Sequence, residues 1–304
     1  MNGDAMKGKI KEILKLTRIE HSIMLVLAVL AAELLAGAHQ LSIVTVILSL
    51  LPPIFIGASA FIINDYYDIK ADKANGILDR PLVSGAISKS EAVALYILCL
   101  AIGIALSALL DIAAFVIVLA FAALSLLYSH WLKKALILGN AYVAFSMVIP
   151  FIYGAYVVAH GVNQNLLIIC AIIFLAGMAR EIHGTIRDYH GDSIERKVKN
   201  IVYYIGYTWS SISALALYLV AVAFTITLLY NPPFAGNLVY ILPIGITDIS
   251  LLYLSFSYVV VRPWKSGTGK KGKELFYISR NLSLGVMALS ILSFLLSAFV
   301  RIPI

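Results

Sequence analysis

Residues 42–72 read SIVTVILSLLPPIFIGASAFIINDYYDIKAD, an apolar run that ends in a cluster of acids. A transmembrane helix needs roughly 20 predominantly apolar residues, which residues 42–64 supply. In the polar end, Asn64, Asp68 and Asp72 are spaced i, i+4, i+8, so a helix would project all three from one face. Carboxylates at the end of a hydrophobic segment are costly to desolvate, and they indicate a functional site.

A second acidic cluster, DYHGD, occupies residues 188–192. Asp188 and Asp192 are spaced i, i+4, and Glu181 extends the same helical face deeper into the membrane. Oxygen ligands of this kind suit Mg²⁺, which usually bridges a few carboxylates to a substrate phosphate. We therefore interpret each cluster as half of a magnesium site. The alternatives are solvated helix ends with ordinary surface acids and, for Glu181, a structural pair with an intramembrane cation.

The composition of the 304-residue chain places it in a lipid bilayer. Hydrophobic residues make up 61% and charged residues 13%, and the mean hydropathy is +0.94. A water-soluble core could not bury this much apolar surface. The net charge of +7 would suggest nucleic acid in a soluble protein. Here membrane topology explains the charge better, and we expect no nucleic-acid partner.

Apolar segments of membrane-spanning length recur along the chain. We identify nine, near residues 21–37, 42–64, 91–109, 112–129, 137–159, 166–186, 207–230, 238–261 and 281–300. We therefore expect an all-α integral membrane protein with nine transmembrane helices, in which residues 1–304 form one polytopic domain. Basic and apolar residues alternate over residues 1–18, which predicts an amphipathic helix at the membrane interface.

The distribution of basic residues orients the predicted helices. Of the 23 Lys and Arg residues, 21 lie in the N-terminal stretch or in the loops after the second, fourth, sixth and eighth segments. The alternate loops hold none, so the positive-inside rule places the N-terminus and both acidic clusters in the cytoplasm and the C-terminus outside the cell membrane. The long loops after segments two, six and eight are then cytoplasmic and could cap a cavity.

Several cations near the acidic clusters could clamp a diphosphate. The candidates are Arg80, Lys133 and Lys134. An Arg guanidinium group can donate two parallel hydrogen bonds to phosphate oxygens, and a Lys ammonium group carries a compact positive charge. The alternative for each is a simple topological determinant, and Arg18 at the start of the first segment carries the same two interpretations. Tyr128 lies close to the charged sites, where an aromatic wall could stabilise a carbocation by cation–π attraction.

Three stretches of the chain resemble the UbiA-type intramembrane prenyltransferases. They are NDYYDIKAD at residues 64–72 with RPLVSG at residues 80–85, the second aspartate motif at residues 188–192, and a segment at residues 128–134 that is similar to the family's Y-S-x-x-L-K-R. The resemblance covers nearly the whole chain. It implies helices around a central cavity open sideways to lipid, and magnesium-dependent transfer of a prenyl group from a polyprenyl diphosphate to an acceptor, usually aromatic.

The same resemblance assigns roles to individual residues. The implied Mg²⁺ ligands facing the diphosphate are Asn64, Asp68, Asp72, Asp188 and Asp192, and the implied charge partners of the diphosphate are Arg80, Lys133 and Lys134. Metal ions and cations would stabilise the charge that grows on the departing diphosphate. We expect Asp68, Asp192 and Glu181 to be essential for catalysis, with Glu181 or a cluster aspartate as the proton acceptor.

The acceptor is predicted from two local features. Gly184-Thr185 stands where many members that alkylate a glycerol phosphate read K-D, and residues 17–21 resemble the quinone-precursor branch. Both favour a small aromatic acceptor such as 4-hydroxybenzoate, bound by Arg18 and Tyr128. Geranylgeranylglyceryl phosphate and a naphthoate stay open as acceptors, and the sequence does not indicate the oligomeric state.

Two other classes of membrane protein compete with the enzyme. A secondary transporter would use the acids to carry ions, and a lipid-binding scaffold would bind without catalysis. Transporter sites usually lie near the bilayer midplane on interrupted helices. Here the acids lie at helix ends and lead into basic loops, which suits a phosphate ligand and favours the enzyme.

Overall fold

The computed structural model describes residues 3–37, 42–74, 76–135, 137–195, 200–265 and 269–303, without the side chains of residues 3–5, 74, 134, 190–195, 269 and 271. These ranges are almost entirely helical. The α-helices are α1 (Gly3–Thr17), α2 (Ile19–Ala36), α3 (Ile43–Ala74), α4 (Pro81–Ser84), α5 (Lys89–Ala108), α6 (Ile112–His130), α7 (Leu138–Ala159), α8 (Gln164–Glu195), α9 (Ile201–Leu228), α10 (Leu238–Val261) and α11 (Gly269–Ser297). A 3₁₀ turn at Leu132–Lys134 joins α6 to α7.

Within the described ranges, nine of these helices are long and apolar enough to cross a membrane. The prediction of an all-α protein with nine membrane helices is therefore confirmed. The helices differ from the predicted segments mainly at their polar ends: α8 continues to Glu195 and α11 begins at Gly269. Hydropathy falls where charges begin, but Lys, Glu and Arg are good helix formers, so the helices continue beyond the apolar segments.

The helix α9 also begins earlier than the predicted segment. Asn200 caps it at Ile201, because its side-chain oxygen accepts hydrogen bonds from the backbone N–H groups of the first turn. A kink follows at Gly206, whose φ of 72° and ψ of 170° lie outside the helical region. Glycine tolerates this backbone conformation readily because it has no Cβ.

Close packing around α2 holds the bundle together. This helix contacts α3, α7 and α11, so the first and last membrane helices pack together. At the contact with α7, a Cβ on Gly154 would lie 2.7 Å from the backbone oxygen of Val29. Small residues allow membrane helices to approach this closely. Ala28, Ala31 and Ala32 on α2 are buried in the same region.

The N-terminal helix α1 packs against α4 and the residues on either side of it. Leu16 is fully buried beside Leu82, and Lys9 donates to the backbone oxygen of Ala86 at 3.1 Å. Lys15 is hydrogen-bonded and ion-paired with Asp79. The Lys15 ammonium group, 3.2 Å from the Asp79 carboxylate, holds the pKa of that carboxyl below its ordinary value.

An apolar stripe on α1 is exposed, formed by Met6, Ile10 and Leu14. The three positions are spaced i, i+4, i+8, so they share one helix face. An exposed apolar face beside lysines is the arrangement expected of a helix that lies in the membrane interface, and that location stays a prediction.

Candidate active site

The first acidic cluster lies on the last turns of α3, as its spacing predicts. Asp68 is 9% exposed and accepts a hydrogen bond from Lys133 Nζ at 2.7 Å. Asp72 is 2% exposed and accepts one from Arg80 Nη1, also at 2.7 Å. The Oδ1 atom of Asn64 is buried and has no hydrogen-bond partner. The face therefore presents three oxygen-bearing side chains, two of which are engaged by cations.

Asp65 on α3 is held by two arginines. It is 3% exposed and accepts hydrogen bonds from Arg18 Nη2 at 2.8 Å and Arg80 Nη1 at 2.9 Å. Arg80 thus bridges Asp65 and Asp72, while Arg18 lies 4.8 Å from the ring centroid of Phe61. This network ties the start of α2 and the start of α4 to the polar end of α3. Asp65 is not among the metal ligands predicted from the sequence, and its part in this network was missed.

The second acidic cluster lies on α8. Arg187 donates to both carboxylate oxygens of Asp188, at 2.7 and 2.6 Å, and Arg180 donates to Glu181 at 3.1 Å. Thr185 and Asn140 on α7 are hydrogen-bonded at 3.1 Å. Two predicted site residues, Asp192 and Lys134, have side chains outside the described part of the chain.

A large cavity of about 860 Å³ lies inside the bundle. Its wall is mostly apolar and includes Phe61, Phe121, Phe151, Leu251 and Phe294. The polar residues Arg18, Asn64, Tyr128, Arg180, Glu181, Arg280 and Asn281 also line it. The volume lies within the range of roughly 300–1,000 Å³ typical of small-molecule sites.

A smaller space of about 240 Å³, which we call the polar chamber, adjoins the large cavity. The two share Tyr128, Arg180, Glu181 and Arg280. The chamber is otherwise lined by Lys133, Gly139, Asn140, His183, Gly184, Thr185, Arg187, Asp188, Tyr258, Ser279 and Ser283. Its four cations outnumber the two acids, Glu181 and Asp188.

The two acidic clusters meet at the same end of the bundle. Lys133 donates a hydrogen bond to Asp68 of the first cluster. The same lysine lines the polar chamber together with Asp188 of the second cluster. Asn64 and Glu181 line the large cavity together. The structure therefore brings the predicted groups of α3 and α8 together at one end of the bundle, which we call the polar end.

The donor atoms fit a hard divalent cation, although the carboxylates do not converge on one point. Among the described residues, no three His, Cys, Asp or Glu side chains form a ready metal-binding group. The available oxygens are those that Mg²⁺ prefers, and Mg²⁺ is commonly held by one or two carboxylates plus substrate phosphates. The buried, unpartnered Oδ1 of Asn64 is an atom that such an ion would satisfy.

Other polar groups of the cavities were missed by the sequence reasoning. Arg187 adjoins Asp188, and Arg280 was counted only as part of a basic loop. Asp248 lines the large cavity and accepts a hydrogen bond from Thr225 at 2.7 Å. Asp248 could have been recognised from the sequence, because a lone acid inside an apolar segment indicates a functional role or an ion pair.

The fold and site together define a helical membrane protein with acids and cations gathered at one end of an apolar cavity. A model of the UbiA prenyltransferase family matches residues 25–279. Digeranylgeranylglyceryl phosphate synthase of Archaeoglobus fulgidus is 30% identical over 296 residues, which are 97% of this chain and 98% of that protein. A protein of the same name from Saccharolobus solfataricus is 36% identical over 199 residues, 65% of this chain and 70% of that protein.

Solved structures agree with this match. A structure of digeranylgeranylglyceryl phosphate synthase in membranes gives a TM-score of 0.72 at 25% identity, covering 95% of this chain and 98% of that one. A UbiA homolog from Archaeoglobus fulgidus bound to GPP and Mg²⁺ gives 0.65 at 20% identity, covering 93% and 99%, and shows a shared fold. The chain belongs to the UbiA prenyltransferase family. It is a membrane-embedded prenyltransferase, and the predicted use of magnesium agrees with the ion in that homolog.

The expected aromatic acceptor, 4-hydroxybenzoate, finds no support in these relatives, whose shared name refers to glyceryl phosphate. The structure shows why residues 17–21 are a weak guide to the acceptor. Arg18 is engaged by Asp65, so the motif at residues 17–21 reflects how α2 is tied to α3 and does not identify the acceptor. Tyr128 lines both cavities and stacks on Tyr142, with ring centroids 4.3 Å apart.

Proposed function

We propose that this enzyme transfers a geranylgeranyl group from geranylgeranyl diphosphate to the free hydroxyl of geranylgeranylglyceryl phosphate. The observation that carries the proposal is the continuity between a large apolar cavity, lined by Asn64 of the first cluster, and a cationic polar chamber, lined by Asp188 of the second, with Glu181 lining both. Prenyl chains suit the cavity, and diphosphate and phosphate groups suit the charged end. The shared name of the relatives supports a glyceryl phosphate acceptor.

The donor diphosphate would lie between the polar ends of α3 and α8. The residues that would hold Mg²⁺ there are Asn64, Asp68, Asp72, Asp188 and Asp192. When bound, Mg²⁺ neutralises charge that develops on the departing diphosphate. Lys133 and Arg80, already next to the first cluster, would turn their N–H groups toward the phosphate oxygens.

The reaction breaks the bond between C1 of the prenyl group and the diphosphate oxygen, and forms a C–O bond to the acceptor hydroxyl. Glu181 would take the hydroxyl proton, since its carboxylate faces both spaces. Tyr128 would offer an aromatic face to the allylic cation. The apolar wall would exclude the water that otherwise hydrolyses that cation.

We place the polar end in the cytoplasm. The positive-inside rule supports this orientation, because the basic loops all adjoin that end, and it leaves the C-terminus outside. The loop after α3 would then cap the opening, and the loops predicted to cap it after α8 and α10 include residues 196–199 and 266–268, which lie outside the described residues. This arrangement would let the enzyme take its diphosphate from the cytoplasmic side while the prenyl chains stay in the membrane.

The proposed function is tested with purified protein, Mg²⁺ and geranylgeranyl diphosphate. Parallel reactions receive geranylgeranylglyceryl phosphate, 4-hydroxybenzoate or a dihydroxynaphthoate, and the products are identified by mass spectrometry. We expect one product, a diether phosphate. Prenylation of an aromatic acceptor alone, or of none of the three, would overturn the proposal.

A further inference from the structure

The cations of the polar chamber fall into two pairs with different surroundings. Lys133 and Arg187 are already engaged by the acidic clusters, through Asp68 and Asp188. The other two, Arg180 and Arg280, line the large cavity as well as the chamber. This second pair therefore lies where a ligand that occupies both spaces would pass from apolar to polar surroundings.

Part of the hydrogen-bonding capacity of the second pair is unused. Arg180 donates to Glu181 through Nη1, but its Nε is buried without a hydrogen-bond partner. Arg280 is exposed, and within the described ranges its guanidinium group has no hydrogen bond or ion pair, so it is available to a ligand. The buried Nε of Arg180 carries more weight, because a buried donor without a partner is rare and costly in folded proteins and often marks a ligand site.

We propose that Arg180 and Arg280 bind the phosphate monoester of the acceptor lipid, as a site separate from the donor diphosphate site. A guanidinium group matches phosphate oxygens with paired N–H groups. With the phosphate between these two residues, the glycerol hydroxyl would lie near Glu181 and the lipid chain would extend into the large cavity. This inference rests on the proposed function, and it names the residues that select a phosphorylated acceptor.

The position of Arg280 separates its role from that of the donor site. It lies on α11, whereas the acidic clusters lie on α3 and α8. Within the described ranges, no ion pair joins it to Asp68, Asp72 or Asp188, whose partners are Lys133, Arg80 and Arg187. Removal of its charge should therefore weaken acceptor binding and leave donor binding unchanged.

The test compares Arg280→Gln, Arg280→Lys and Arg180→Gln with the parent enzyme. Arg262→Gln is the matched control, because Arg262 is an exposed cation at the end of α10 that lines neither space. Initial rates are measured against geranylgeranylglyceryl phosphate at saturating donor, and against donor at saturating acceptor. A third series uses geranylgeranylglycerol, which lacks the phosphate.

For Arg280→Gln we expect the acceptor KM to rise by about 10- to 100-fold, as when a hydrogen bond to a charged group is lost. The donor KM should stay at the parent value, and Arg280→Lys should recover part of the loss. The preference in kcat/KM for the phosphorylated over the neutral acceptor should fall by a similar factor. Arg180→Gln should show the same loss of preference, and Arg262→Gln should behave as the parent.

The outcomes separate this inference from the proposed function. If the parent makes no diether phosphate, the proposed function fails. If the parent makes it but Arg280→Gln and Arg180→Gln keep the full preference for the phosphorylated acceptor, only the phosphate site is wrong. A rise in donor KM equal to that in acceptor KM would likewise overturn the site, because the two residues would then serve the diphosphate. Size-exclusion profiles identify any variant that does not fold, and Arg280→Lys then provides the test.

Discussion

Substitution of Asp65 should destabilise the protein without removing a metal ligand. Its carboxylate is 3% exposed and accepts hydrogen bonds from two guanidinium groups, at 2.8 and 2.9 Å. Both hydrogen bonds end on Oδ1, so the amide oxygen of Asp65→Asn can still accept them, but the negative charge that neutralises two guanidinium groups is lost. Loss of one partner of a buried ion pair costs about 3–5 kcal/mol. Because the arginines here are partly exposed and Arg80 keeps Asp72, we expect the variant to lose about 2–4 kcal/mol of stability.

The loss is measured as a change in Tm of the purified protein in detergent without added Mg²⁺. For chains somewhat smaller than this one, 1 kcal/mol shifts Tm by about 2–4 °C, so we expect a fall of roughly 5–10 °C. Asp79→Asn is the matched control, because it removes the same charge from a side chain that is 77% exposed. Exposed ion pairs contribute about 0–1 kcal/mol, so its Tm should stay near that of the parent.

Magnesium titration completes the test of Asp65. Because we assign Asp65 to the arginine network and not to the metal site, the Mg²⁺ concentration that gives half-maximal activity should be unchanged in Asp65→Asn. A variant with the parent Tm would refute the structural role. A parental Tm combined with a weakened response to Mg²⁺ would show that Asp65 is itself a ligand.

Three further predictions concern the site and the packing that supports it. Asp68→Asn should abolish turnover while the protein remains extractable and folded, and full activity in the purified variant would contradict its role as a ligand. Glu181→Gln should slow the single-turnover rate more than it weakens donor binding, so an unchanged rate would remove it from the mechanism. Gly154→Ala should lower Tm by overpacking, at a cost of about 1–3 kcal/mol, because its Cβ would lie 2.7 Å from a backbone oxygen of α2. Gly161→Ala, whose nearest neighbour would be at 3.9 Å, should leave Tm unchanged.

The membrane-spanning helices could be predicted because the bilayer imposes one length and one polarity on every span. The polar extensions of those helices could not be located in the same way. Hydropathy identifies where a helix leaves the hydrocarbon, whereas α3 continues to Ala74 and α8 to Glu195 in polar surroundings. These extensions carry three of the predicted site residues, Asp68, Asp72 and Asp188, as helical residues with fixed spacing.

The candidate site was predictable to the extent that it depends on local geometry. Spacing of i, i+4 places Asn64, Asp68 and Asp72 on one face of any helix. The partner of each acid depends on tertiary packing, and no local pattern links Lys133 to Asp68, which are 65 positions apart. Arg280 illustrates the same limit, because a count of basic residues explains it as a topological signal and does not reveal the cavity it lines.

The acids and cations at the polar end are paired with each other, and this pairing suggests how the site would accommodate a diphosphate. Asp68, Asp72 and Asp188 each accept a hydrogen bond from a cation in this structure. Asp68 and Asp72 are buried, so their charges would be costly without these partners, whereas the Asp188 side chain is 50% exposed. A diphosphate with its Mg²⁺ brings both signs of charge together. On the proposed function, Asp68 and Asp72 would turn to the metal and the released cations to the phosphate oxygens, so that no buried charge would be left without a partner.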